Sequence, residues 1–387
     1  MILLIYIGLH LHAYQPPTQP QEVIDKIYRE SYDPVIRFIE DNPSSFISLD
    51  LAKSLGERMP QEFLQRIRAL HVNQRIELVN TAAYHYLLPL VPGNVVKRQL
   101  ELNREFYQEN FTGRDPVPGV FLPELAYSPK LPRLLFDRGY PWFLADDRAF
   151  SNQRRRLPLE DRSPQNWIPV FQDCGAILQS QEWHEKLIEA KYESGKHFAY
   201  ELLKSHRRWR AQIKNDKDSY VVIAVDFETF GHHHKGLVEK FFPSFFAEIE
   251  RWRKNCEVVR LDFIFNHFIK IPVGEEMQTG SWATSKEDLD RGIPFPLWNH
   301  PDNPFHRAWN EFMNLTFEVA PPTPSPELQE LLNKAFYSCS PWQYSNGNKG
   351  VAGWCLPMFE RIISLLPEGP EKNKIRRAYQ IILELVK

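Results

Sequence analysis

The stretch that decides the fold is YVVIAVDFETFGHHH, residues 220–234. Residues 220–225 form an unbroken apolar and β-branched run, short enough for one strand and apolar on both faces. That is the mark of a parallel strand covered by helices. The run stops at Asp226 and Glu228, followed by Gly231 and three consecutive histidines. Period-2 geometry places 226 and 228 on one face, with Val225 and Phe227 on the other, toward the helices. Two carboxylates so close do not both ionise freely, so one of them carries a raised pKa, the property a general acid needs at neutral pH. An isolated pair of this kind otherwise caps a helix or meets an arginine.

Other strands end the same way. Residues 2–9 read as a strand running into His10, His12, Tyr14 and Gln15; residues 75–81 carry Glu77 and lead to Tyr84 and His85; residues 119–122 end in Pro123 and Glu124. Further strands are expected at 46–51, 142–145, 167–171 and 258–265. Helices are expected at 23–40 (broken near Pro34), 61–71, 95–110, 131–138, 198–214 and 237–253. Strand–helix alternation over residues 1–275 argues for parallel strands with crossover helices, a barrel or a doubly wound sheet. In both, the C-terminal strand ends form the active face. Ionisable groups gathered there cost several kcal/mol each unless paired or used. From residue 276 to 387 the pattern is turn-rich and then helical, which reads as a second region completing a groove on the barrel. Its tryptophans include Trp282 and Trp298, in Pro- and Gly-containing loops where packing explains them less well.

Composition narrows the function. Among 387 residues, 47 Lys and Arg against 49 Asp and Glu give a net charge of −2, without the basic excess of a nucleic-acid binder. Aromatic residues at 13% exclude a disordered chain. No apolar run reaches the roughly 18 residues that span a membrane. The opening MILLIYIGL has no basic n-region and no small-residue cleavage site, and reads as a first strand. The four cysteines form no CxxC pair and read as reduced thiols, the expectation for a cytoplasmic protein.

Glu124 lies in GVFLPELAYSP (119–129), an acid among apolar and aromatic residues. Aromatic walls with carboxylates suit a sugar, since rings stack on pyranose faces while acids handle the glycosidic oxygen. Glu124 and Asp226 would supply the two carboxylates of a glycosidase. The His10-x-His12 spacing puts two rings on one strand face, a common metal-ligand arrangement. No further ligand spacing supports it, so hydrogen bonding to carboxylates or to substrate hydroxyls is preferred, with no metal and no cofactor.

At these residues a family resemblance appears. LHLHAYQPP (9–17) resembles the first motif of glycoside hydrolase family 57, RIELVNTAAYHYLLPL (75–90) the second, GVFLPELAYSP the third and VVIAVDFETFGHH (221–233) the fourth. TGSWATSKEDLDRGIPFPLWNHPDNP (279–304) is similar to a later segment around the substrate groove. The resemblance implies an α/β fold, a (β/α)7 incomplete TIM-like barrel followed by a C-terminal helical domain, and a retaining mechanism on α-glucans or maltooligosaccharides without a required metal. By position it implies Glu124 as nucleophile and Asp226 as general acid/base. His10, His12, Glu77, His85, Glu228, His233, Trp282 and Trp298 would bind substrate. Phe121 stands where many members carry Trp. Two other readings remain: a catalytically silent carbohydrate-binding protein on the same scaffold, and a metal-dependent polysaccharide deacetylase on a related barrel. The oligomeric state and the choice between hydrolysis and transfer are not legible.

Overall fold

The computed structural model describes residues 4–113, 116–147, 166–189, 192, 194–213, 217–273 and 278–387. Among the described residues the strands are β1 (Ile5–Ala13), β2 (Ile47–Leu51), β3 (Ile76–Leu78), β4 (Gly119–Phe121), β5 (Trp142–Asp146), β6 (Trp167–Phe171), β7 (Cys174–Gln179), β8 (Ser219–Asp226), β9 (Cys256–Val258) and β10 (Ile269–Pro272). Parallel pairings run β8–β1–β2–β3 and β4–β5–β7. Two seams close the ring. A parallel bridge Asn80↔Val120 joins β3 to β4, and the pair Gln179↔Val222 joins β7 to β8. The seven strands of the ring therefore make a barrel with two thin seams. Outside it, β9 lies beside the start of β1, while β6 turns back antiparallel on β7 and carries β10.

Alternation sorts the side chains of each strand. On β1, Ile5, Ile7, Leu9, Leu11 and Ala13 face outward into a core shared with the helices Gln21–Ile27, Asp33–Asp41, Gln61–Val72, Gly195–Ile213 and Leu237–Arg251. Tyr6, Gly8, His10 and His12 face inward. On β8, Val221, Ile223 and Val225 face outward, while Tyr220, Val222, Ala224 and Asp226 face inward. The start of the barrel is filled by Tyr6, Trp142, Ile177 and Tyr220 and plugged by the helix Leu261–His267. Gly8 makes room for that plug: a Cβ there would meet Leu261 Cδ2 at 2.6 Å.

The expected strand at 258–265 is corrected. Only Cys256–Val258 is extended, and Leu261–His267 is helical. Its β-branched and aromatic residues suit a buried strand, but its first N–H groups have a better partner. Leu261 N and Asp262 N donate to Glu77 at 2.7 and 2.8 Å. The expected helix at 23–40 is two helices joined by a π-type turn at Tyr28–Tyr32, and Pro34 opens the second, where a missing N–H costs nothing. Strand β1 runs four residues past its expected end, so His10 and His12 lie inside it. Strands β7 and β10 went unread.

Beyond Pro304 the chain is helical, in Pro304–Val319, Pro326–Lys334, Cys339–Ser345, Leu356–Leu365 and Pro370–Val386. Phe305, Phe312, Phe336, Phe359 and Ile375 join Val120, Leu122, Phe143, Ala176 and Leu178 of the barrel in one continuous apolar cluster. The helical region is thus packed on the β4–β5–β7 side.

Candidate active site

The C-terminal strand ends gather the polar residues. Parallel register sets His12 opposite Asp50 of β2 on one side and Asp226 of β8 on the other. Asp50 is fully buried and accepts from His10 Nε2 and His12 Nδ1, each at 2.8 Å. Burial opposes a charge on His12, but the Asp50 carboxylate outweighs it, with Asp226 and Glu228 adding to the effect, and the imidazole is pushed up to about 9. Burial likewise opposes ionisation of Asp50, yet His12 and His10 hold its carboxyl below the usual range. The floor of the site is therefore an ion pair, with His12 as its cation.

Four rings stack across that floor. Phe121 lies 4.4 Å from His12, His12 lies 4.8 Å from His85, and His85 lies 4.0 Å from Tyr14. Burial, together with the neighbouring His12, keeps His85 well below the ordinary histidine value, so it is neutral.

Strand β4 ends in a short 3₁₀ turn, Pro123–Leu125, where Glu124 and Leu125 have φ of 59° and 48°. Positive φ is uncommon away from glycine and costs energy that the surroundings must hold. Glu124 Oε2 accepts from Trp282 Nε1 at 2.8 Å and Oε1 from Ser338 Oγ at 2.8 Å. Burial pushes the Glu124 carboxyl up and the charge of Asp226 adds to that, while the two donors and His12 pull it back.

At the end of β8, the residues Phe227–Thr229 leave the strand as a 3₁₀ turn. Asp226 is exposed to the cavity, whereas Glu228 is buried. Glu228 Oε1 accepts from Gln15 Nε2 at 2.7 Å and from the Tyr32 hydroxyl. Burial first, then the charge of Asp226, push Glu228 up to about 7. The raised carboxyl expected of this pair is thus seen at Glu228.

These groups open on one cavity of about 490 Å³. His12, His85, Glu124, Asp226, Glu228, His233 and Trp282, all named from the sequence, line it. Three others lie apart. His10 is a layer lower, paired with Asp50. Glu77 sits inside the barrel, bonded to Ser48 and to the start of the helix Leu261–His267, and burial pushes it up to about 7. Trp298 is buried behind Trp282, edge-on at 6.2 Å. Gln15, at the end of β1, was read without a role; the sequence reading missed Asp50, Tyr32 and the residues from the helical region: Tyr337, Ser338, Cys339, Trp342 and Trp354. The alternation Ile-Ser-Leu-Asp-Leu of β2 marks Asp50 as inward-facing; nothing local marks the others.

Chemically, the site offers one carboxylate clamped at both oxygens and a second, exposed carboxylate from another strand. Histidine and aromatic walls surround them. Among known proteins, the profile described as "Glycosyl hydrolase family 57" matches residues 9–268. A 4-alpha-glucanotransferase from Thermococcus litoralis is 24% identical over 297 residues, covering 74% of this chain and 43% of that protein. Alpha-amylase 1 from Dictyoglomus thermophilum is 26% identical over 149 residues, 38% of this chain and 21% of that one. The chain thus spans less than half the length of these curated relatives. In solved structures, the Thermococcus litoralis glucanotransferase superposes with a TM-score of 0.71 at 15% identity, over 94% of this chain and 60% of that one. A branching enzyme from Pyrococcus horikoshii gives 0.70 at 16%, over 98% and 95%. These likenesses are of fold.

Proposed function

Because the chain belongs to glycosyl hydrolase family 57, we propose that it is a retaining enzyme of α-glucans, with Glu124 as nucleophile and Asp226 as general acid/base. The observation that carries this reading is the Glu124 clamp. A carboxylate in a left-handed turn, held at both oxygens by Trp282 and Ser338, opens on the same cavity as Asp226. Holding a nucleophile in one geometry is where much of an enzyme's rate comes from.

In the first step a Glu124 oxygen bonds to the anomeric carbon, the bond to the leaving oxygen breaks, and the Asp226 proton passes to that oxygen. In the second, Asp226 takes a proton from water or from a sugar hydroxyl, whose oxygen displaces Glu124 and restores the original configuration. His12, the cation of the floor, offers Nε2–H to substrate hydroxyls and offsets the negative charge of Glu124, Asp226 and Glu228. Trp282 and Phe121 supply apolar surface for sugar faces.

The test is to trap the first intermediate. A 5-fluoro-α-glucosyl fluoride forms a glycosyl-enzyme faster than it is hydrolysed, and peptide mass mapping should place the added sugar on Glu124 within residues 119–129. Sugar on another carboxylate, or none with a turned-over substrate, would refute the assignment. The likeness to a glucanotransferase, an amylase and a branching enzyme supports both hydrolysis and transfer. Product analysis on maltooligosaccharides separates them: shorter products alone mean hydrolysis, longer ones transfer.

A further inference from the structure

We propose that Ser338, a residue of the helical region, is a positioning residue for the nucleophile: its hydroxyl joins the Glu124 carboxylate to the His85 imidazole and fixes the carboxylate in one orientation. The inference rests on the reading of Glu124 as nucleophile given above.

The direction of the chain follows by elimination. Ser338 Oγ lies 2.8 Å from Glu124 Oε1 and 2.7 Å from His85 Nδ1. A carboxylate accepts only, and a hydroxyl has one proton to give. That proton goes to Glu124, so His85 Nδ1 donates to Ser338 and His85 Nε2 is left as an acceptor at the site. The two bonds polarise one another, as hydrogen-bond chains in buried surroundings do.

The hydroxyl stands where two strained turns meet. Glu124 and Leu125 after β4, and His85 after β3, all have positive φ, 59°, 48° and 55°. Ser338 itself is 2% exposed, and its N–H donates to His85 O at 3.0 Å. Its neighbours are anchored on the barrel: Tyr337 pairs with Tyr86 in an antiparallel bridge, Phe336 N donates to Tyr86 Oη at 3.0 Å, and Tyr86 Oη donates to Leu332 O at 2.7 Å. Backbone contacts already tie the helical region to the β3 turn. What the hydroxyl adds is the contact with Glu124. It orients that carboxylate for attack, and it meets the charge again when the glycosyl-enzyme breaks down.

Glu124 is faced by Asp226, His12, His85, Cys339 and Tyr14, and the hydroxyl acts against that fixed background. Removing a donor from a carboxylate favours the protonated form, so the acidic limb of activity should move to higher pH. The experiment compares Ser338→Ala and Ser338→Thr with the unaltered chain on an activated aryl α-maltooligoside, reading kcat/KM against pH and the unfolding temperature. We expect Ser338→Ala to lower kcat/KM by about 10–100-fold and to shift the acidic limb upward, with Ser338→Thr restoring both. An unchanged kcat/KM, or a loss with the limb unmoved, would overturn the proposal; the latter would mark a merely structural serine. If Ser338→Ala does not fold, Ser338→Cys keeps the shape with a weak donor, and an unmoved limb there overturns it equally. Trapping on the unaltered chain is scored separately: sugar found on a residue other than Glu124 fails the nucleophile reading whatever Ser338 does.

Discussion

Single residues of the site differ chiefly in how charge is distributed among buried groups. The sequence placed Asp226 and Glu228 together and expected one raised pKa. The structure raises Glu228, because burial and the charge of Asp226 outweigh the hydrogen bonds it accepts from Tyr32 and Gln15. Glu228→Gln should therefore slow turnover on every substrate alike, with no dependence on the leaving group, since it removes a neighbour of the acid and not the acid itself. A larger loss on poor leaving groups, measured across a series of aryl α-glucosides, would transfer the acid role to Glu228. The same charges predict the pH dependence of stability. His12 is raised from 6.5 to about 9, so its contribution is full below its unfolded value and is lost as pH rises through 9. Glu228 and Glu77, raised from 4.5 to about 7, bind protons more tightly when folded, so their contributions are likewise lost as pH rises through 7. Asp50 runs the other way, its contribution appearing above its unfolded value and fading in acid. Each raised group is worth up to about 3 kcal/mol. The unfolding temperature should fall between pH 5 and 9; a rise across that window would contradict these assignments.

At the scale of elements, the sequence was legible wherever periodicity and burial agree. Residues 220–225 lie within a strand with helices outside it, and Val225 and Phe227 face those helices as the alternation read from them requires. It was not legible where a distant partner decides. Residues 258–265 have strand composition, yet Glu77, some 184 residues earlier along the chain, accepts the first N–H of the helix Leu261–His267. No local pattern carries that. The same contact explains why Glu77 is set apart from the cavity, and it makes a test. Glu77→Ala should cost about 1–3 kcal/mol of stability, as a buried capping acceptor does. Glu77→Gln should lose ground to the unaltered chain at pH 5 and gain it at pH 8, because Gln does not titrate. Thermal unfolding at the two pH values reads both. Equal pH dependence in Glu77→Gln and the unaltered chain would show that Glu77 is not the buried titrating group.

At the scale of the whole molecule, the helical region is part of both the core and the site. The sequence showed that strands stop near residue 275 and that a helical region follows. Its contribution of Cys339, Trp342 and Trp354 to the cavity, and of Ser338 to the Glu124 carboxylate, was hidden, because only the fold brings positions more than 200 residues apart together. One apolar cluster runs from the barrel into residues 305–382, so removing 276–387 should leave Val120, Leu122 and Phe143 uncovered and yield insoluble, inactive protein. A soluble 1–275 fragment with a cooperative unfolding transition would contradict this. Azide rescue distinguishes the roles proposed for the two carboxylates, attack by Glu124 and proton transfer by Asp226. Asp226→Asn, given an aryl α-glucoside that leaves without help, should form the glycosyl-enzyme and then stall for want of a base. Azide needs no deprotonation and should restore turnover, with proton NMR showing α-glucosyl azide as product. A β-glucosyl azide from Asp226→Asn, or rescue in Glu228→Gln and not in Asp226→Asn, would contradict the account.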